Sequence, residues 1–431
     1  MTPFGLGGIG RRAMLGLAAA LAIGAVSARA TPYLVVDADS DQVLAENAST
    51  AAWYPASLTK LMTVYVALDA VRSGKLTLDT PLVMSGRAAR MPPSKMGFRP
   101  GTEVTLDNAL KMLMVKSPND VAVMVAEGVS GSVEAFANDM NAAGERLGLR
   151  ESHFVNPNGL HDPAHVSSAR DMAIIARALL REFPDHADLF SIGALQLGNQ
   201  YIANHNGLLG RYPGADGMKT GFTCPAGFNV VASANHSGRR LIVVVLGAPT
   251  AKSRNQEAAD LFDRGFAMGG GSGSLESLAS AGSGPPNMRA DVCLRRNAAA
   301  IAAAEDEGVA EPVQTAAPSG RGGAIPNPFA ALLAPAHTEL SDERIRFDPV
   351  PVYLGPAPGW KGPALGARPT GAAAASNDAQ GVTAGAEAPT RPHGVRGKSK
   401  PIRHAAAETK AQKLVAAKTV KPKADSGDND K

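Results

Sequence analysis

The stretch YPASLTKLMTVYVAL, from Tyr54 to Leu68, raises the first question: why does a helix built for the core open on a serine and carry a lysine one turn later? Leu58, Leu61, Met62, Val64, Val66 and Leu68 cover most of its circumference, the pattern of a buried helix rather than an amphipathic surface one. Pro55 and Ala56 read as the entry turn and Gly74 as the stop. Ser57 and Lys60, at i and i+3, fall on one face. Taken alone, the pair reads as an N-cap serine and a snorkelling lysine. The rest of the chain decides between that reading and chemistry.

Upstream, TPYLVVDADSDQVLAENAS reads as a β-hairpin with an Asp/Ser-rich turn. Downstream, MPPSKMGFRPGTEVTL is a Pro/Gly loop expected at the surface, followed by helical patterns in LDNALKMLMVK, NDVAVMVAEGV and VEAFANDMNAAGERLG. The loop SHFVNPNGLHDPAHVSS leads into the helix ARDMAIIARALLREF. FNVVASANH and RRLIVVVLG, joined at Ser237-Gly238, form a second hairpin, and KSRNQEAADLFDRGF is a closing helix. Strands at both ends around a block of helices read as α+β, with an antiparallel sheet completed by distant segments.

The 431-residue chain carries a formal net charge of +4, which gives no reason to expect a nucleic-acid binder. Arg11 and Arg12, the apolar AMLGLAAALAIGAV and the small-x-small Ala28-Arg29-Ala30 read as a signal segment over residues 1–30, cleaved before Thr31. Its apolar run is too short for a comfortable membrane span, and no cysteine near the cleavage site suits a lipoprotein. The protein is therefore expected to be exported, to the periplasm or cell envelope. The paired arginines hint at the twin-arginine route, although their neighbours match it poorly. Cys224 and Cys293 are either a disulfide, as export allows, or two buried thiols. Residues 269–431 are rich in Ala, Pro, Gly and Ser, with Phe329, Phe347, Tyr353 and Trp360 the only aromatics, and read as a mostly disordered tail after a domain at 31–268. Within the tail, RIRFDPVPVYLGPAPGW is an island able to pack, and the end is basic: ten Lys or Arg from Arg391 to Lys423 face Glu408 alone.

Two short motifs can partner Ser57 and Lys60. Ser117-Pro118-Asn119 lies between two apolar helices, and Lys219-Thr220-Gly221 lies just before the second hairpin. Ser-x-Asn recurs at Ser233 and Ser253, but inside a strand and a helix rather than a loop. The specific signal is the order: helix start, inter-helix loop, strand.

This set resembles that of penicillin-binding proteins and serine β-lactamases. The flanks YPASLTKLMT, VKSPNDVAVMVAE, NPNGLHDPAHVSSARDMA and DGMKTGFTCPAGFNVVASA make it similar, more narrowly, to the low-molecular-mass D-alanyl-D-alanine carboxypeptidases, from about Tyr33 to Phe266. The resemblance implies a β-lactamase/transpeptidase-like α+β fold, with Ser57 at the start of a central helix and Lys219 on an edge strand. It implies a penicillin-binding serine hydrolase of cell-wall biogenesis that removes the terminal D-alanine from peptidoglycan stem peptides, is inhibited by β-lactams, and needs no cofactor or metal. Ser57 would be the nucleophile and Lys60 its base, with burial and Lys219 holding the lysine's pKa down. Ser117 would relay a proton to the leaving amine, and Asn119 would hold a substrate backbone group. Lys219, Thr220 and Gly221 would bind the substrate, its terminal carboxylate falling to the first two, with Arg240 as a helper or a plain surface charge. The resemblance assigns the oxyanion donors to the backbone N–H groups of Ser57 and Phe222, each worth about 3 kcal/mol in such sites. Phe222 departs from the more polar residue often found after this glycine, which bears on substrate preference. His161 and His165 are expected as loop residues near the cleft, not bases. A D,D-endopeptidase, a β-lactamase or a non-catalytic peptidoglycan-binding protein would share the motifs, and the basic tail could contact membrane or wall.

Overall fold

The computed structural model describes residues 31–282, 284–294, 338–340 and 343–366. All belong to one compact unit; a second, residues 374–431, lies outside the described residues, as do the expected signal segment and the basic end. The first hairpin is β1 (Tyr33–Asp37) and β2 (Val43–Asn47). A 3-10 turn at Ala56–Leu58 then runs straight into α1 (Thr59–Arg72), whose first eight residues and more are buried. A short antiparallel pair, β3 (Pro81–Val83) and β4 (Glu103–Thr105), brackets α2 (Gly86–Ala89). The helical block follows: α3 (Leu106–Val115), α4 (Asn119–Ser130), α5 (Val133–Leu147) and α6 (Ala169–Glu182). Thr105, Ser132 and Ser168 accept backbone N–H groups at the starts of α3, α5 and α6, so the helix boundaries follow local capping chemistry. A small hairpin, β5 (Ala194–Leu197) and β6 (Gln200–Ala203), precedes β7 (Ala215–Thr223), β8 (Gly227–His236), β9 (Arg239–Ala248) and α7 (Ala251–Ala267).

The main sheet runs β2-β1-β9-β8-β7, antiparallel throughout, so distant chain ends complete it and the third motif stands on its edge. Side-chain alternation explains why β9 is an unbroken apolar run. Leu241, Val243 and Val245 pack towards α7 with Leu261 and Phe262, while Ile242, Val244 and Leu246 pack towards the helical block. With both faces covered, a polar residue at any of these positions would be buried without a partner.

The chain beyond 268 does not leave the domain at once. Leu275 is fully buried, α8 (Arg289–Val292) packs Val292 into the α7 layer, and Cys293 is bridged to Cys224 with Cα atoms 5.7 Å apart. The island singled out in the sequence also packs: β10 (Val350–Val352) adds to β5 in parallel, Gly355 N–H donates to Glu103 O, and Leu365 N–H to Pro81 O. Composition understated this segment because a few apolar side chains, Val352 among them, together with backbone pairing suffice to attach it.

The bridge spans a sequence separation of 69 and constrains the unfolded chain accordingly. Reduction is expected to cost about 4 kcal/mol of stability, read as an earlier denaturant midpoint, with no free thiol titrating before reduction. Coincident unfolding of the reduced and oxidised proteins would show the bridge to be energetically idle.

Candidate active site

The turn that carries Ser57 is held from the sheet. Asn229 on β8 donates through Nδ2 to Tyr54 O (3.0 Å) and Pro55 O (3.2 Å), while its Oδ1 accepts Gly247 N–H at 2.8 Å. Edge strand β7 presses on the same turn: a Cβ at Gly221 would lie 2.9 Å from Ser57 N and 3.0 Å from Pro55 O. Ser57 is not a helix cap. Leu58 occupies that position, and no side chain caps α1.

The polar residues of this buried helix answer a loop. Thr63 Oγ1 donates to Pro157 O (2.6 Å), Thr59 Oγ1 meets His165 Nε2 (2.8 Å), and Lys60 Nζ lies 2.8 Å from Asn158 O, 2.9 Å from Asn119 Oδ1 and 2.9 Å from Ser57 Oγ. Lys60 is wholly buried; desolvation first, and Lys219 second, hold its pKa well below the usual lysine value. A neutral amine has two N–H donors and one lone pair. Two of its three neighbours are carbonyl oxygens that can only accept, so the donors are committed to Asn158 and Asn119. The lone pair is left facing the Ser57 hydroxyl, which then donates to it. The loop can come this close because residue 159 is glycine: its φ is +79°, and a Cβ there would fall 1.8 Å from Ala56 O. His165 accepts Val155 N–H at Nδ1, which leaves Nε2–H for Thr59, and burial pushes its pKa down to about 4. It is a neutral structural residue.

Ser117 sits at φ +60°, a left-handed conformation uncommon outside glycine, and its buried Oγ has no hydrogen-bond partner among the described residues. Asn119 has a further use within the protein. Both N–H bonds of its amide go to Pro92 O and Pro93 O (3.1 Å each) and its Oδ1 to Lys60, so it orients the lysine. The Pro/Gly loop expected at the surface is thereby drawn into the site, further tied by Asp120 accepting Met96 and Gly97 N–H.

A cleft of about 330 Å³ opens over these groups, bordered by Ser57, Ser117, Asn119, Thr220, Gly221 and Phe222. Lys219 does not border it; it is 2% exposed beneath, donates to Thr220 O (2.9 Å), and burial, with Arg254 nearby, pushes its pKa down to about 7. The cation that does face the cleft is Arg254 on α7, which the sequence analysis missed. Arg240 is not its equivalent: it pairs with Asp216 at 2.9 Å, away from the cleft. His205 also borders the cleft, and burial, then Lys219, Lys116 and Arg254, hold its imidazole neutral with a pKa of about 3. Among the described residues no group of three or more His, Cys, Asp or Glu is arranged to hold a metal ion.

A hydroxyl facing a buried lysine whose pKa is held down, with a second motif tied to that lysine through Asn119 and a strand-borne third, is the arrangement of serine acyl transfer. Residues 19–250, more than half of the chain, match the D-alanyl-D-alanine carboxypeptidase family, peptidase S11. The chain belongs to that family. It is 40% identical over 244 residues to D-alanyl-D-alanine carboxypeptidase DacA of Haemophilus influenzae, a match covering 55% of this chain and 62% of that one. The chain thus spans about three fifths of that relative's length. Among solved structures, penicillin-binding protein 5 of Haemophilus influenzae is 38% identical with a TM-score of 0.53, covering 55% of this chain and 70% of that one. Penicillin-binding protein D2 of Listeria monocytogenes, in its ampicillin-bound form, is 27% identical with a TM-score of 0.50, covering 55% and 96%. The α+β transpeptidase-like fold expected from the motifs is the fold of this carboxypeptidase-family chain.

Proposed function

We propose that the protein is an exported serine D,D-carboxypeptidase of peptidoglycan stem peptides. The observation that carries this reading is the Lys60 amine, whose two donors are committed to carbonyls and whose lone pair faces Ser57 Oγ. Lys60 takes the Ser57 proton as Oγ attacks the carbonyl between the last two D-alanines. The C–N bond breaks, D-alanine leaves with a proton relayed through the otherwise unpartnered Ser117 hydroxyl, and water hydrolyses the acyl-enzyme. The N–H groups of Ser57 and Phe222 serve the oxyanion. Arg254, with Lys219 and Thr220, favours a substrate carboxylate, which suits a terminal D-alanine over an internal bond. β-Lactams acylate the same serine.

Residues 31–268 carry the catalysis, and the basic end beyond 390 is read as an electrostatic tether to membrane or wall polymers. Binding to isolated sacculi that is insensitive to salt would sink the tether. The function itself is tested by incubating the protein with purified muropeptides and weighing the products. Pentapeptides should lose one D-alanine while cross-linked dimers persist. Opening of dimers instead would make it an endopeptidase, and unchanged muropeptides would overturn the reading.

A further inference from the structure

Three backbone carbonyls of the segment between β6 and β7, those of Asn204, Asn206 and Leu209, converge on a single side chain from 135 or more residues downstream. Arg344 donates to them at 2.7, 3.0 and 2.9 Å through Nη1, Nη2 and Nε. The ends of the segment are also held, Asn204 to Ile192 O and Gly193 O, and Tyr212 to Asp263 with Leu208 in the α7 layer, but its middle answers mainly to Arg344. Asn204 and Asn206 fold it locally by accepting Asn206 and Leu208 N–H, and His205 N–H reaches Val115 O only at 3.4 Å. A guanidinium presents five donors in a rigid fork, so one residue answers three acceptors that a lysine could not reach together. Phe347 completes the clamp. Its ring lies where Cβ atoms at Gly193 and Gly210 would fall, 2.0 and 3.0 Å from its atoms, and Arg344 lies 5.5 Å over it. Further along, β10 pairs with β5, the strand of the small hairpin that enters this region.

The clamped segment is part of the cleft wall. His205 stands between two of the three captured carbonyls and borders the same cleft as Ser57 and Arg254. We infer that Arg344 is a positioning residue for substrate binding: residues 343–352 form a strap from the C-terminal region that fixes the His205 wall of the cleft. The Ser57–Lys60–Asn119 group rests on α1, α4 and the 155–160 loop, none of which touches Arg344, so the strap governs capture of the substrate more than the chemical step. The kinetic part of this inference rests on the carboxypeptidase reading; the structural part does not.

The test uses the full chain, with Arg344→Ala, Arg344→Lys and, as a control, Arg87→Ala, an exposed guanidinium paired with Glu134 outside the strap and the cleft. Arg344→Ala should raise KM for a D-Ala-D-Ala peptide about 10-fold and slow penicillin acylation similarly, with kcat within about 3-fold. Arg344→Lys should fall between, and Arg87→Ala should match wild type. Amide hydrogen exchange should accelerate in residues 203–211 and stay unchanged in β8 and β9. Faster exchange there with unaltered KM and acylation would show the segment to be no part of the binding wall. Unchanged exchange would remove the clamp, and lost protection across the central sheet would make Arg344 a general folding residue; either overturns the inference. A wild-type protein inactive on the peptide would sink the carboxypeptidase reading instead, leaving penicillin acylation and exchange to judge the strap.

Discussion

Ser57→Ala is expected to abolish covalent labelling by penicillin and to lower peptide turnover by at least about 10⁴-fold, with the fold intact. The substitution removes one oxygen from a tight 3-10 turn whose backbone is held by Asn229 and by β7, not by the serine hydroxyl. Lys60 loses only one of three partners and keeps both carbonyls, so the site should stay assembled around an absent nucleophile. The other hydroxyls bordering the cleft are those of Ser94, Ser117, Thr220 and Thr223, and none of them is among the three hydrogen-bond partners of the Lys60 amine. Persistent labelling of a folded Ser57→Ala protein, mapped to any residue, would refute the assignment.

Lys60→Arg should cost about 10²- to 10⁴-fold in acylation. A guanidinium stays charged at any pH the protein survives, so it can fill the site without accepting the Ser57 proton. Because arginine is larger and Lys60 is wholly buried, a second measurement guards against a misfolded variant: the pH dependence of wild-type acylation. The reactive form has Lys60 neutral, so acylation should rise as pH rises through its depressed pKa. Rates that climb on acidification, or near-normal acylation by a folded Lys60→Arg protein, would exclude the general base. Lys219 acts in the opposite sense. Its charge, which favours a substrate carboxylate, is lost in the free enzyme above about pH 7, so kcat/KM should fall there. The linkage to stability has a fixed sign. Between about 7 and the ordinary lysine value the unfolded chain binds the extra proton, so this group makes stability rise with pH across that window.

The parts of the site legible in the sequence were those with a distinctive residue type in a distinctive place. A lysine in a helix apolar all round, a Ser-x-Asn between two helices and a Lys-Thr-Gly before a hairpin stand out because burial makes each polar residue costly without a purpose. Asn158 was not legible as a site residue, since its contribution is a carbonyl that any residue type supplies. Asn119 was named, but its ties to the lysine and to Pro92 and Pro93 were not foreseen: those prolines lie 27 and 26 positions away, in a loop whose path no local pattern fixes. Arg254 was not picked out, and Arg240 was left between a helper and a plain surface charge, for the same reason. Each arginine's role depends on what the fold places opposite it, Asp216 for one and the cleft for the other. In the fold, the alternation along β8 and β9 and the apolar helices were plain. For 343–366 the packing island was visible but its docking place was not, because a strand of three residues and one guanidinium do not say which surface they meet.

Two positions without side chains close the space around the nucleophile, Gly159 against Ala56 and Gly221 against the Ser57 turn. Their consequence is genetic rather than chemical. In a library of single substitutions selected for a working enzyme, both sites should be as empty of survivors as Ser57, although neither brings a reactive group. At Gly159 even alanine meets a left-handed backbone and an oxygen 1.8 Å away, so no chain of small steps leads from glycine to any other residue. Substitutions that survive such a selection would have to accumulate elsewhere, on the walls of the cleft, where a change of shape can spare the Ser57 turn and its lysine.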